Sequence, residues 1–172
     1  MGWKNSPPAF SAVTETIADM CNARLEEDGV PPPHALDEAA AEVMPAIPDP
    51  PPPKIPQVTP TAVPVERDPC LPVSGKPLGT VDIFVDDFIA LAQEYKTTKK
   101  KRRPALANSR RVRRILLHAI DDVFRPLDQA DSPFRREPVS LKKLKKGDCS
   151  WSTVKEVLGW VINTVDMTIH LP

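Results

Sequence analysis

The stretch VDIFVDDFIAL, residues 81–91, decides the fold that we expect for this chain. Two adjacent carboxylates, Asp86 and Asp87, interrupt a run of apolar, β-prone residues. Because an unpaired carboxylate is costly to bury, the pair requires either a solvated turn or a bound cation. The pattern predicts a β-hairpin with strands over residues 81–85 and 88–92 and with the two aspartates at its tip. A polar surface turn explains these aspartates, and so does a site for divalent cations that prefer oxygen ligands.

Helices are predicted on both sides of this hairpin in the sequence. Apolar residues recur at helical spacing over residues 9–27, after the pair Ser6-Pro7 that is typical of a helix start. A second apolar stripe with the same period predicts a helix over residues 108–127. Four arginines crowd the first turns of this second helix, where positive charge opposes the helix dipole unless an anion lies nearby.

A second hairpin is predicted near the carboxyl end, over residues 154–171. The apolar run 157–162 predicts one strand, residues 163–166 predict a turn, and the alternation that follows predicts the returning strand. Together these elements predict an α+β fold in which antiparallel hairpins pack on two amphipathic helices.

A proline-rich segment separates the first helix from the first hairpin. Of the 22 prolines in the 172 residues, 15 lie between Pro31 and Pro77. Residues 30–79 show almost no hydrophobic periodicity, which predicts an extended or disordered linker with a short helical turn over residues 37–44. The chain therefore divides into residues 1–29, the linker 30–79, and residues 80–172.

Three motifs, in this order, resemble the palm subdomain of reverse transcriptases from the pol polyproteins of long-terminal-repeat retroelements. The first is GWKNSPPAF at residues 2–10, the second is FVDD at residues 84–87, and the third is VLGWVI at residues 157–162. In the first motif, Trp3 replaces a leucine and Ser6 replaces an alanine of the family pattern. The resemblance covers residues 1–28 and 79–172 and leaves the proline-rich insert unmatched.

The resemblance implies RNA-directed DNA synthesis by two-metal nucleotidyl transfer, in which the metal ions stand about 3.5–4 Å apart. Asp86 and Asp87 would be catalytic metal ligands for Mg²⁺, or Mn²⁺ in its place. A third carboxylate is expected upstream of Met1, so we expect the cations only in the complete enzyme and no polymerase activity from this chain alone. The partners implied are an RNA or DNA template-primer, dNTPs and the missing parts of the pol polyprotein. The remaining residues carried over are Gly2, Asn5, Pro7 and Phe10 for nucleotide and template, and Leu158, Gly159 and Trp160 for the primer grip.

Charge is distributed unevenly, although the 23 basic and 23 acidic side chains cancel. Residues 1–94 hold 5 basic and 15 acidic side chains, whereas residues 95–172 hold 18 and 8. Residues 96–114 contain no acid, which is typical of a surface that binds a phosphate backbone or of a nuclear-localisation signal. A non-catalytic nucleic-acid-binding remnant is therefore the alternative function. Its basic residues are Lys99, Lys100, Lys101, Arg102, Arg103, Arg110, Arg111, Arg113 and Arg114.

Other classes of protein are disfavoured by composition. Three widely spaced cysteines indicate neither a disulfide framework nor a zinc site. No apolar run has the length of a membrane span, and the amino terminus lacks a signal-peptide pattern. We expect an intracellular protein, cytoplasmic or nuclear, that is not secreted and has no membrane partner.

Overall fold

The structure is a computed structural model that describes residues 6–43, 63–64, 79–84, 87–94, 106–145 and 150–172. It is a mixture of helices and antiparallel strands, as the sequence predicts. The helices are α1 (Ser6–Glu26), α2 (Ala35–Val43), α3 (Asn108–Phe124) and α4 (Leu141–Lys145). The strands are β1 (Val63–Pro64), β2 (Gly79–Phe84), β3 (Asp87–Ala92), β4 (Val154–Val157), β5 (Trp160–Asn163) and β6 (Thr168–His170).

The core lies where α1 and α3 pack against each other and against β2. Ile17 and Cys21 of α1, Val81 of β2, and Val112 and Ala119 of α3 are all at most 2% exposed. Both helices occupy the predicted stretches, because their apolar residues recur at the helical period and face this core. Helix α3 ends three residues before the predicted boundary.

Strands β2 and β3 form a two-stranded sheet, here called the helix-backed hairpin. Their register runs from the pair Gly79 with Ala92 to the pair Phe84 with Asp87. The predicted hairpin is confirmed, but the predicted strand bounds are wrong at the tip, since Asp87 belongs to β3. Asp86 lies outside the described residues.

Asn22 of α1 and the close approach of α3 at Gly79 help to hold the helix-backed hairpin on the helices. The Asn22 amide Nδ2 donates to the Val81 carbonyl oxygen at 2.8 Å, and the Val81 N–H donates to Asn22 Oδ1 at 2.9 Å. The side chain of α1 thus replaces a neighbouring strand at the outer edge of β2. At Gly79, a Cβ atom would lie only 2.7 Å from Val112 Cγ2, so the absence of a side chain permits the close approach of α3.

The other strands form a second sheet in the order β1-β6-β5-β4, all antiparallel. The predicted strand over residues 157–162 is wrong, because β4 ends at Val157 and β5 begins at Trp160. The predicted turn before the last strand is confirmed, since residues 164–167 connect β5 to β6.

Part of the proline-rich segment is folded, contrary to the predicted linker. Helix α2 spans nine residues and buries Asp37 completely, so the prediction of a disordered insert is wrong there. The predicted short helical turn marks its position, with α2 starting two residues earlier. Strand β1 also comes from this segment and pairs with β6. Residues 44–62 and 65–78 lie outside the described residues.

Candidate functional site

Asp87 is the one member of the predicted metal pair that the structure describes. It lies at the start of β3, paired with Phe84, and both side chains are exposed. Paired residues of an antiparallel sheet share a face, so these two project from the face of the helix-backed hairpin that does not carry Val81. Asp87 is therefore accessible to a cation at the end of a strand that the helices hold in place.

The described residues include one of the two expected metal ligands. No group of three or more histidine, cysteine, aspartate or glutamate side chains comes together among them in a way that would hold an ion. Asp86, the second expected ligand, is not one of these residues. Magnesium binding at the hairpin stays a prediction.

Phe10 lies on α1, and its ring stacks against Phe124 at the end of α3. The ring centroids are 6.4 Å apart with an interplanar angle of 24°. Phe10 keeps 41% of its surface exposed, so it both ties the two helices together and presents an apolar face to solvent. Pro7 belongs to the first turns of α1, whereas Gly2 and Asn5 lie outside the described residues.

Leu158 and Gly159 connect β4 to β5 in two residues. Both have positive φ, 53° for Leu158 and 79° for Gly159, as a type I′ turn requires at both positions. A Cβ at Gly159 would meet no atom within 4 Å, so this glycine serves backbone conformation and not close packing. The turn leaves Leu158 46% exposed and Trp160 48% exposed. The predicted primer-grip residues thus form one exposed turn.

The arginines of α3 contact protein acceptors. Asp37 of α2 is fully buried and accepts hydrogen bonds from the Nε atoms of Arg110 and Arg114 at 2.9 Å and of Arg113 at 2.7 Å. Burial alone would raise the pKa of the Asp37 carboxyl, but the hydrogen bonds from Arg114, Arg110 and Arg113 outweigh burial and lower it. Asp37 is thus a nearby anion that offsets the positive charge of the arginines in the first turns of α3.

Arg111 has a different role from the other three arginines. Its guanidinium donates to the carbonyl oxygens of Glu27 at 2.6 Å, Leu25 at 3.2 Å and Gly29 at 3.2 Å. Carbonyls at the end of a helix lack intrahelical donors, so Arg111 caps the carboxyl end of α1 from α3. Lys99 to Arg103, the other half of the predicted basic surface, lie outside the described residues.

His34 caps the start of α2. Its Nδ1 accepts the Leu36 N–H at 3.1 Å, which leaves the proton on Nε2, and Nε2 lies 3.0 Å from Asp121 Oδ2 on α3. The first carbonyl of the helix also comes from His34, which accepts the Glu38 N–H at 3.1 Å. Sequence reasoning missed Asp37 and His34, although the unbalanced arginines of α3 already indicated an anion near them.

One groove, of about 430 Å³, opens between the end of α1, residues 28–32 and the outer side of α3. Charges of both signs line it, including Arg24, Asp122 and His118, and Arg24 donates to Asp122 at 2.6 Å. Of the predicted site residues, Arg111 is the one that lines this groove.

None of the described helices is long and apolar enough to cross a membrane. The chain matches no protein-family model, no curated protein and no solved structure with which it was compared.

Proposed function

We propose that this chain is part of the palm of a retroelement reverse transcriptase, with Asp86 and Asp87 as ligands of the catalytic magnesium ions. The observation that carries the proposal is the position of Phe84 and Asp87, the first and last residues of FVDD, at the end of a two-stranded hairpin. Phe84 pairs directly with Asp87, so two residues connect the strands, and the strands are backed by two helices. A rigid support of this kind holds metal ligands within the narrow tolerance that two-metal chemistry needs.

The order of elements supports the same proposal. A helix with Phe10 on it precedes the hairpin, the arginine-bearing helix follows, and the Leu158-Gly159 turn comes last. This is the order of the three motifs in the resembled family. The Leu158-Gly159 turn also presents an apolar side chain and Trp160 to solvent, where an indole ring can stack on a base.

The alternative is binding of nucleic acid through residues 96–114 without catalysis, and the arginines of α3 would support it only after a rearrangement. The guanidinium groups of Arg110, Arg113 and Arg114 already donate to Asp37, and Arg111 donates to carbonyls of α1. A phosphate backbone would have to displace these acceptors.

Paramagnetic relaxation by Mn²⁺ tests the metal site residue by residue. In ¹H–¹⁵N spectra, sub-stoichiometric Mn²⁺ is expected to broaden the amide signals of Phe84 and Phe88 first. The double variant Asp86→Asn with Asp87→Asn should lose this effect. Asp82→Asn is the matched control, because Asp82 is an exposed aspartate of the same hairpin whose Oδ1 accepts the Ile83 N–H. Equal broadening in the double variant would refute the proposed site.

The polymerase part of the proposal has its own test. Primer extension with the 172-residue chain should give no templated incorporation, since two carboxylates do not fix both metal ions. Magnesium-dependent incorporation by this chain would contradict that expectation.

A further inference from the structure

We propose that Arg110, Arg113 and Arg114 form a binding site for the phosphates of single-stranded nucleic acid, and that Asp37 of α2 occupies this site in cis. The carboxylate of α2 would then act as an autoinhibitory ligand, which the nucleic acid displaces. This inference goes beyond the polymerase proposal, because the site lies on α3, uses neither Asp86 nor Asp87, and requires no metal ion.

The geometry at Asp37 is that of a bound oxyanion. One carboxylate oxygen accepts from the Nε atoms of two arginines, Arg110 and Arg114, each at 2.9 Å. The other accepts from Arg113 through both Nε at 2.7 Å and a terminal nitrogen at 2.6 Å. Guanidinium groups present the same fork of donors to the oxygens of a phosphate.

Charge favours exchange of this ligand. Three guanidinium groups surround one carboxylate, so the cluster keeps an excess positive charge, whereas the first N–H groups of α3 already donate to the Glu94 carboxylate. Consecutive phosphates of a strand supply more negative charge than one aspartate and release counterions when they bind.

Helix α2 is suited to leave. It has nine residues, and helices this short are not stable in water without tertiary contacts. Besides Asp37, α2 packs on α4, and the residues just before it contact α3. His34 lies 3.0 Å from Asp121, and its ring packs edge-on against His118. The Pro31 and Pro32 carbonyls lie within hydrogen-bond distance of Arg114 and His118. Arg113 and Arg114 are 14% and 9% exposed, so a strand reaches them only after α2 has moved.

Occupation of the arginine site by Asp37 should lower its apparent affinity for nucleic acid by a measurable factor. When the binding-competent state is only partly populated, the apparent affinity falls by that fraction. Removal of the Asp37 charge should therefore raise the affinity for nucleic acid by at least about tenfold. Loss of an unrelated carboxylate on α2 should change it far less.

The experiment is fluorescence anisotropy with a labelled oligothymidine in EDTA, at low and moderate salt. Asp37→Asn is expected to bind at least about tenfold more tightly than the native chain. Glu38→Gln is the matched control, since it removes the same charge from an exposed neighbour on α2. Adding Arg110→Gln to Asp37→Asn should remove the gain. Equal affinities of Asp37→Asn and Glu38→Gln, or no binding by the native chain and the variant, would overturn the proposal.

A measurement on the native chain avoids dependence on how the variant folds. Hydrogen exchange with saturating oligothymidine should deprotect the amides of α2 and protect the first turns of α3. If α2 keeps its protection in the complex, Asp37 has not been displaced and the proposal is wrong. Failure of the Mn²⁺ experiment at the hairpin leaves these outcomes unchanged, so the two proposals fail separately.

Discussion

The helix-backed hairpin and the β4–β5 hairpin have the same short connection but different supports. In each, the last residue of one strand pairs with the first of the next across two residues, Phe84 with Asp87 and Val157 with Trp160. The first hairpin is anchored by Asn22, which lies 59 residues from Val81 in the chain. The second is closed by near neighbours, such as the Thr164 N–H that donates to the Thr153 carbonyl at 2.8 Å.

The two hairpins are therefore expected to be sensitive to different kinds of substitution. The helix-backed hairpin and α2 depend on contacts between distant residues, such as Asn22 with Val81 and Asp37 with the arginines of α3, so loss of one partner leaves buried groups unsatisfied. The β4–β5 hairpin depends on turn conformation, so changes there have smaller effects because the freed groups reach water.

The largest effect is expected at Asp37. Breaking a buried ion pair by removing one partner costs about 3–5 kcal/mol, and Asp37→Asn should reduce the free energy of opening of α2 by an amount of this order. Acid should act in the same way, because the pKa of Asp37 is lower in the folded protein than the unfolded value of about 3.9. The stabilisation that this difference provides is present above the unfolded pKa and is lost as the pH falls through the folded-state pKa. Hydrogen exchange of α2 below pH 4 measures this loss. An acid response that persists in Asp37→Asn would assign it to another group.

Asn22→Ala is expected to cost about 3 kcal/mol, because it leaves both the N–H and the carbonyl of Val81 without partners in the core. Asn163→Ala provides the comparison in the second sheet. Asn163 is buried, but its Oδ1 accepts the N–H groups of Val165 and Asp166, which are exposed and can reach water, so the cost there should be about 1 kcal/mol. Urea denaturation of both variants gives the two values. Equal losses in the free energy of unfolding would show that Asn22 stabilises the fold no more than Asn163 does.

Gly79 and Gly159 are expected to be required for different reasons, Gly79 for space and Gly159 for backbone conformation. Gly79→Ala should cost about 2 kcal/mol, since its Cβ would press on Val112 Cγ2, and Val112→Ala in the same chain should relieve the contact. Gly159→Ala should cost about 1 kcal/mol through its positive φ alone, and no partner substitution should relieve it. Thermal unfolding of the single and double variants measures both effects. Additive behaviour of Gly79→Ala and Val112→Ala would contradict the steric explanation.

The sequence predicted those parts of the fold that local patterns determine. The apolar periodicity of α1 and α3 was sufficient to predict both helices, because each helix buries one apolar stripe in a common core. The strand bounds at the hairpin tip were wrong by one residue, since aspartate suits both a turn and the first position of the exposed strand face. Helix α2 was missed as a packed element because Asp37 finds its arginines 73 to 77 residues further along the chain.

The same limit applies to the candidate site. The motifs predicted a solvated turn or a cation site at the two aspartates, and Asp87 is exposed in the structure. They did not predict that Arg110, Arg113 and Arg114 donate to Asp37, because a run of charged residues indicates the sign of a surface but not the groups that it contacts. The turn at Leu158-Gly159 escaped notice because leucine is not a turn-forming residue, and the apolar pattern continues through it.

The smallest effect expected has the opposite sign. Leu158 has a φ of 53°, a conformation that costs a bulky residue about 1 kcal/mol, whereas Asn-Gly is the preferred pair for a type I′ turn. Leu158→Asn should therefore stabilise the β4–β5 hairpin by about 1 kcal/mol, measured as increased amide protection of β5. Met167→Asn is the matched control at the next turn, where φ is 55°. If Leu158→Asn destabilises the hairpin, the exposed leucine contributes packing that outweighs its backbone strain. If it also weakens oligonucleotide binding while raising stability, the strain is retained for contact with a ligand.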